Sequence, residues 1–271
     1  MVIDFHTHLF PEKIAAKAIS VLADTSGVTP STDGTAPSLL ASMEQAGIDL
    51  SVVLPVITDP HQFESILRFA VRINEQYAST SGPRLLSFAG IHPDCADIRE
   101  KCAEISREGF RGIKLHPDYQ GGCFDDIRYL RILDAASEQG LCIVVHAGFD
   151  PISPTRQHCS PDMILHAIKE TAPSRLVLAH MGSNKNYQES LEKLCGQDVY
   201  LDTSFCLTDM PEEMFIRMVR AHGADRILFA TDCPWGQQDR FLQLLRSMDA
   251  LSAEEKEQIL WQNASRLIHV F

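Results

Sequence analysis

The sequence predicts an α/β protein, a single (β/α)8 TIM barrel over residues 1–271 that ends in C-terminal helices. Eight short apolar segments recur along the chain, and amphipathic stretches of helix length separate them. This alternation indicates parallel strands, because parallel neighbours need a crossover long enough to hold a helix. No glycine-rich phosphate loop follows the first strand, which disfavours a doubly wound open sheet. With 45% hydrophobic residues, a chain of this length can bury one large core.

The predicted strands share an apolar interior, and most of them end on a polar residue. Their Val, Ile and Leu content is typical of strands that are buried on both faces. They lie at residues 2–8, 50–57, 85–92, 111–116, 141–146, 175–180, 199–203 and 226–232.

The predicted helices show apolar residues at helical spacing between these strands. Residues 25–36 are rich in Ser, Thr, Gly and Pro and are expected to form a loop that could cover the strand ends. The helices lie at residues 11–24, 39–47, 61–80, 95–108, 125–139, 161–171, 187–195 and 211–222, with two more at about 239–248 and 253–270.

The first strand carries two histidines two positions apart. Because side chains alternate along a strand, Asp4, His6 and His8 are expected to share one face. Neutral imidazole is a preferred ligand of zinc and its first-row neighbours. Taken alone, such a pair fits two hydrogen-bonded surface histidines equally well. The residues downstream favour the metal.

Polar residues end most of the other strands as well. In a parallel barrel the active site forms at the carboxyl ends of the strands, so positions that are remote in sequence become one ring. Burying several imidazoles and carboxylates together is costly unless a cation or a hydrogen-bond network satisfies them. The residues are His6, His8, His92, His116, His146, His180, Asp202 with Thr203, and Asp232.

These residues also carry a resemblance to a known family. The chain resembles the amidohydrolase superfamily over its whole length, and residues 112–117 (GIKLHP) resemble the branch that includes aminocarboxymuconate semialdehyde decarboxylase. The matching stretches are DFHTH at the start, His146 after LCIVV, LAHMG around His180, FATDCPWG around Asp232 and the terminal NASRLI.

The resemblance implies a barrel that binds one or two divalent ions, with zinc as the expected metal. His6, His8, His146 and Asp232 would hold this metal. His180 would orient or deprotonate the attacking water, and Asp232 would take its proton and pass it on. A bound divalent ion brings the pKa of its water towards neutrality, which makes this chemistry reasonable.

Lys114 has three interpretations. In some family members a lysine on this strand is carboxylated and bridges two metals, and His180 would then bind the second ion. It could instead pair with an inward acid such as Asp4, or bind a substrate carboxylate, which is the interpretation we favour. The other predicted substrate-binding residues are His116, Arg156 in the loop after strand five, and Trp235 beside Asp232.

Composition limits the partners. The net charge of −12 disfavours nucleic acid and anionic membranes and favours a small-molecule substrate. The sequence shows no signal peptide and no apolar run of bilayer length, so a cytoplasmic protein is expected. The eight cysteines form no CxxC pair and are expected to be free thiols. An exposed apolar patch on the outer helices would indicate a homodimer.

The sequence therefore predicts a metal-dependent hydrolase of a small, carboxylate-bearing amide, lactone or ester. The alternative is a non-oxidative decarboxylase that uses the same site. A TatD-like nuclease fits less well, because the surface is acidic and the expected GE pair is absent. A non-catalytic metal-binding protein would hold its metal without an open coordination position.

Overall fold

The computed structural model describes residues 1–78 and 84–271, and its strands alternate with helices as predicted. β3 and β4 are separated by Phe88 alone and together form the third strand of the barrel. Every paired neighbour runs parallel. The strands are β1 (Ile3–Thr7), β2 (Leu50–Val53), β3 (Arg84–Ser87), β4 (Ala89–Gly90), β5 (Gly112–Leu115), β6 (Cys142–Val145), β7 (Leu176–Leu178), β8 (Tyr200–Asp202) and β9 (Ile227–Leu228).

Backbone hydrogen bonds join the first strand to the last. The pairing order is β1-β2-β3 and then β4 through β9 in sequence order. The N–H of Phe5 donates to the carbonyl of Phe229 at 2.9 Å, and the N–H of Asp232 donates to the carbonyl of His6 at 2.9 Å. These bonds close the ring of parallel strands, which confirms the predicted barrel.

The helices surround the strands, and their bounds differ from the prediction mainly at the ends. The predicted helix over 61–80 is α3, and residues 79 and 80 lie outside the described residues. The last predicted helix is divided by a π turn (Gln258–Gln262). The helices are α1 (Glu12–Ser26), α2 (Ala36–Ala46), α3 (Phe63–Tyr77), α4 (Ile98–Arg107), α5 (Pro117–Gln120), α6 (Ile127–Glu138), α7 (Pro161–Thr171), α8 (Tyr187–Lys193), α9 (Glu212–His222), α10 (Gln238–Ser247), α11 (Ala253–Glu257) and α12 (Asn263–Ile268).

Local signals set the helix ends. The side chain of Thr35 caps α2 by accepting from the N–H of Ser38, so this helix begins at Ala36, before the predicted start at 39. Ser160 caps α7 in the same way, and Pro161 occupies its first position. Among the described residues, no helix is both long and apolar enough to cross a bilayer.

The protein has two apolar regions. The smaller fills the barrel and includes Phe5, Val52, Phe88, Val144 and Val177. The larger lies between the strands and the helices, where the amphipathic face of each helix packs on the barrel. The carboxyl ends of the strands are therefore held on a rigid, fully packed scaffold.

β1 departs from the predicted alternation. Asp4 pairs with Ser51 and Thr7 with Val53, so three steps along β1 match two along β2, as in a β-bulge. As a result Asp4 does not share the face of His6 and His8. Its carboxylate instead accepts from Gln238 on α10 at 2.8 Å, which excludes the pairing of Asp4 with Lys114. The extra residue of the bulge reverses the alternation before the two histidines.

One buried amide ties several strand ends together. The Nε2 of Gln120, on the unpredicted helix α5, donates to the carbonyls of Ile57 at 3.0 Å and Ile91 at 2.8 Å. Its Oε1 accepts from the N–H of His116 at 3.0 Å and from the hydroxyl of Tyr129 at 3.3 Å. Gln120 thereby fixes the spacing of the chain beyond β2, β4 and β5.

Candidate metal centre

His6, His8 and Asp232 form one group of potential ligands at the barrel mouth. The Nε2 atoms of His6 and His8 lie 3.1 Å apart. Oδ1 of Asp232 lies 3.1 Å from Nε2 of His8 and 3.5 Å from Nε2 of His6. Three of the four predicted metal ligands therefore point their donor atoms at one another.

Hydrogen bonds assign the ring protons of both histidines. Nδ1 of His6 lies 2.9 Å from the carboxylate of Asp202, and Nδ1 of His8 lies 2.8 Å from the carbonyl of Leu54. Both partners are acceptors, so each Nδ1 carries the proton and each Nε2 keeps its lone pair. Two lone pairs and a carboxylate oxygen then face each other in a buried site. This arrangement is unfavourable without a positive charge among them, and it fits a divalent cation.

Asp202 organises this group although the sequence assigned it no role beyond its place at a strand end. Its Oδ1 accepts from the N–H of His180 and of Ser204, each at 3.0 Å. Burial raises its pKa, but the neighbouring His6 outweighs this and lowers the pKa of Asp202 to about 2. The carboxylate therefore stays ionised and holds the ring of His6 in one tautomer.

Lys114 supplies the positive charge nearest to the group. It is 1% exposed, and its Nζ lies 2.9 Å from Nε2 of His6. Burial lowers the pKa of Lys114 to about 8, against the opposing effect of Asp232 and Asp202. Burial together with Lys114 lowers the pKa of His6 to about 4. His6 is thus neutral at pH 7, the form in which an imidazole can bind a metal.

His146, the fourth predicted ligand, lies next to His180. The Nδ1 of His146 is 2.9 Å from Nε2 of His180, whose own Nδ1 lies 2.9 Å from the carbonyl of Ser204. Because that carbonyl accepts, Nδ1 of His180 carries a proton and its Nε2 accepts from Nδ1–H of His146. Nε2 of His146 then has a lone pair, and it is a buried atom without a hydrogen-bond partner.

A second group contains His116, His146 and Asp150, whose donor atoms all lie within 4.8 Å of one another. The His116 and His146 rings are stacked with centroids 4.2 Å apart. Burial raises the pKa of Asp150 to about 6. Asp150 was not among the residues predicted from the sequence, although its position four residues after His146, in the loop leaving the same strand, could have indicated it.

Asp232 occupies a constrained turn. Its φ is 67°, in the left-handed region that Asp and Asn tolerate better than most residues. Oδ1 of Asp4 accepts from the N–H of Thr231 at 2.9 Å and so braces this turn from the helix side. Burial raises the pKa of Asp232, but His6 and His8 outweigh it and hold this pKa well below its usual range. Asp232 is therefore a carboxylate at neutral pH.

The other predicted substrate residues lie less centrally. Arg156 is exposed, and its guanidinium lies 3.0 Å from Sγ of Cys123. Trp235 is half-buried, and its backbone N–H donates to the carbonyl of Asp232 at 2.8 Å. His92 accepts from the N–H of Asp94 at 3.1 Å in a local turn. The structure therefore brings His116 and Lys114 to the mouth, whereas the guanidinium of Arg156 lies beside Cys123.

Comparison with known proteins agrees with this geometry. The family model described as Amidohydrolase matches residues 3–270. A search of curated protein sequences gives no match.

Solved structures share the fold at low identity. 2,6-Dihydroxybenzoate decarboxylase from Rhizobium is 16% identical with a TM-score of 0.73, covering 99% of this chain and 98% of that one. Dihydroxybenzoic acid decarboxylase from Polaromonas sp. JS666, solved with bound manganese and the inhibitor 2-nitroresorcinol, is 18% identical with a TM-score of 0.70, covering 99% and 96%. An uncharacterised TIM-barrel protein from Bordetella bronchiseptica is 18% identical with a TM-score of 0.77, covering 99% and 98%.

The match to the family model begins at the strand that carries His6 and His8 and runs to the end of the last helix. The resemblance predicted from the residues is therefore confirmed, and the chain belongs to the amidohydrolase family.

Proposed function

We propose that this protein is a metal-dependent carboxy-lyase that removes carbon dioxide from a small hydroxylated carboxylic acid. One observation carries the proposal: the buried ammonium of Lys114 lies 2.9 Å from Nε2 of His6, beside Asp232 and His8. This places a positive charge next to a candidate cation site, which suits a substrate carboxylate. The decarboxylases among the solved structures of the same fold also support decarboxylation over the hydrolysis that the sequence favoured.

His6, His8 and Asp232 would hold the cation, and His146 as a fourth ligand stays a prediction. We propose zinc, because two imidazoles and one carboxylate form a donor set that zinc prefers. When bound, the cation would polarise the oxygen atoms of a chelating substrate and lower the pKa of a hydroxyl group. Asp202 would keep the ring of His6 oriented towards the cation. A hydrogen bond of this kind, from a neighbouring residue to a metal-binding histidine, maintains metal affinity.

Residues of the protein can carry out the proton transfer that decarboxylation requires. Decarboxylation breaks the bond between the carboxylate and the carbon that bears it, carbon dioxide leaves, and that carbon gains a proton. Asp232 is ionised, so it can accept the proton of a substrate hydroxyl and return it to the carbon. His180 lies in a separate chain of hydrogen bonds, between His146 and Ser204, and can relay a proton at its Nε2.

Hydrolysis of an amide, lactone or ester is the second candidate. The ionised Asp232 favours it, because a carboxylate beside a cation site can equally take a proton from water. Decarboxylation releases carbon dioxide, whereas hydrolysis cleaves an amide, lactone or ester bond and releases none. The products therefore distinguish the two reactions directly.

The test is carbon dioxide release from a panel of hydroxybenzoic acids and unsaturated acids by Zn²⁺-loaded protein. We expect turnover, and we expect a chelator or the substitution Asp232→Asn to abolish it. The control substitution His166→Asn, at an exposed histidine, should leave turnover unchanged. Hydrolysis of lactones or esters without carbon dioxide release would select the second candidate. Full turnover after complete metal removal would refute both.

A further inference from the structure

Asp150 is a buried carboxylate that the proposed reaction does not use. Its side chain is 8% exposed, and it lies in the loop that follows β6. Oδ1 accepts from the backbone N–H of Ile152 at 2.8 Å, which within residues 1–78 and 84–271 is the only hydrogen bond to this carboxylate. Oδ2 lies 3.5 Å from Nε2 of His116 and 3.6 Å from Nε2 of His146, both longer than a hydrogen bond of good geometry. Asp150 therefore directs an acceptor oxygen without a donor towards the barrel mouth.

The backbone on both sides holds Asp150 in place. The N–H of Phe149 donates to the carbonyl of Asn184 at 3.1 Å, and Nδ2 of Asn184 donates to the carbonyl of Phe149 at 2.8 Å. The N–H of Ser153 donates to the carbonyl of Asp150 at 3.1 Å, and the hydroxyl of Ser153 donates to the carboxylate of Asp118 on α5. A carboxylate that is fixed in this way loses little further entropy when a donor binds to it.

The charges around the mouth favour a neutral donor over a cationic one. The ammonium of Lys114 lies beside His6, and the proposed cation would lie among His6, His8 and Asp232. Both positive charges repel a substrate ammonium group, whereas a hydroxyl group can approach Asp150 without this cost. A hydroxyl that donates to a carboxylate also forms a charge-assisted hydrogen bond, which is stronger than a bond between neutral groups.

We propose that Asp150 determines substrate specificity by accepting a hydrogen bond from a second hydroxyl group of the substrate, one that does not contact the metal. The proposal rests on the proposed function, in which the cation binds one part of the substrate and Lys114 meets its carboxylate. It narrows the substrate to an acid with at least two hydroxyl groups, and it gives one of them to Oδ2 of Asp150.

The experiment measures binding to the Zn²⁺-loaded protein by isothermal titration calorimetry at pH 8. Asp150 is ionised at this pH, because burial raises its pKa only to about 6. The probes are 2-hydroxybenzoates that carry a second hydroxyl at ring position 3, 4, 5 or 6. Each is compared with the probe that has a methoxy group at the same position. A methoxy oxygen accepts a hydrogen bond but cannot donate one, so each pair isolates the donated bond.

Asp150→Asn is the matched variant. Its Oδ1 can still accept from the N–H of Ile152, while an amide N–H₂ group replaces Oδ2 and turns the acceptor into a donor. Asp150→Ser is a second variant if Asp150→Asn fails to fold, because a serine hydroxyl can accept from the same backbone N–H. Asp198→Asn, at an exposed aspartate, is the control.

We expect the wild type and Asp198→Asn to bind at least one hydroxyl probe about 10- to 100-fold more tightly than its methoxy partner, the effect of one hydrogen bond to a charged group. In Asp150→Asn this preference should disappear or reverse, while the zinc content by elemental analysis stays the same. A preference that persists in Asp150→Asn and Asp150→Ser would reflect probe size and overturn the proposal. Loss of zinc in Asp150→Asn would overturn it too, as would a wild type that shows no preference or binds no probe.

A failure of this proposal is separable from a failure of the proposed function. Carbon dioxide release that is indifferent to Asp150 would keep the carboxy-lyase and refute the role of Asp150. A hydroxyl preference that depends on Asp150, without carbon dioxide release from any acid, would keep this role and refute the carboxy-lyase.

Discussion

Nζ of Lys114 lies 2.9 Å from Nε2 of His6, the same atom that faces His8 and Asp232. A lysine ammonium and a metal ion cannot both occupy the lone pair of one nitrogen. On the proposed function, the lysine would therefore turn away from His6 when a cation binds, and its charge would then be free to meet a substrate carboxylate.

Lys114→Met separates the roles considered for this lysine. The variant keeps the buried stem and removes the charge, so we expect metal content to be retained and KM to rise by about 10- to 100-fold, the effect of losing one charged hydrogen bond. Metal analysis beside steady-state kinetics measures both. A fall in metal content would instead indicate a carboxylated lysine that bridges two ions.

Asp232→Asn should remove activity without unfolding the protein. The amide cannot accept the proton that the carboxylate takes, so we expect kcat to fall at least about 100-fold. Asn tolerates the φ of 67° better than Ala does, and Asp232→Ala should therefore melt at a lower temperature than Asp232→Asn. Circular dichroism and thermal melts check the fold. Activity near the wild-type level in Asp232→Asn would contradict the assigned role.

Asp202→Asn should lower metal affinity although Asp202 is not itself a predicted metal ligand. Both carboxylate oxygens of Asp202 accept hydrogen bonds, and an amide would place N–H groups against the donors of His6, His180 or Ser204. We expect metal affinity to fall about 10- to 100-fold, as measured by competition with a chelating dye. Asp198→Asn, at an exposed aspartate just before β8, is the control and should bind metal normally.

His222 should make stability depend on pH. Burial lowers its pKa from 6.5 to about 4, and its Nε2 lies 3.0 Å from the carbonyl of Val199. The folded protein keeps this ring neutral while the unfolded chain protonates it, so stability is lost as the pH falls from about 6.5 to 4. The loss from this group is about 3 kcal/mol. Urea unfolding across this range should show a weaker pH dependence in His222→Gln, and an unchanged slope would contradict the prediction.

Much of the fold follows from periodicity. The alternation of buried strands with amphipathic helices predicts the barrel, because parallel strands joined by helices leave few other arrangements. The polar residues at the ends of most strands likewise predict where His6, His8, His116, His146 and Asp232 meet. These inferences succeed because they depend on local spacing and on the common orientation of parallel strands.

Other features depend on contacts that spacing does not encode. The bulge in β1 arises from its register with β2, so the alternation rule misplaced Asp4. Asp150 lies in a loop, where position in the chain does not determine direction in space. Arg156 illustrates the same limit, since its loop carries it to Cys123 and solvent.

Gln120 has a consequence for altering this enzyme's specificity. Its side chain bonds to backbone groups that follow three different strands, so a change of length in any one of those loops would disturb the other two. Residues 149–160 receive no bond from this amide. In directed evolution towards new substrates, the protein should therefore tolerate insertions in residues 149–160. Insertions in the loops after β2, β4 and β5 should destabilise it.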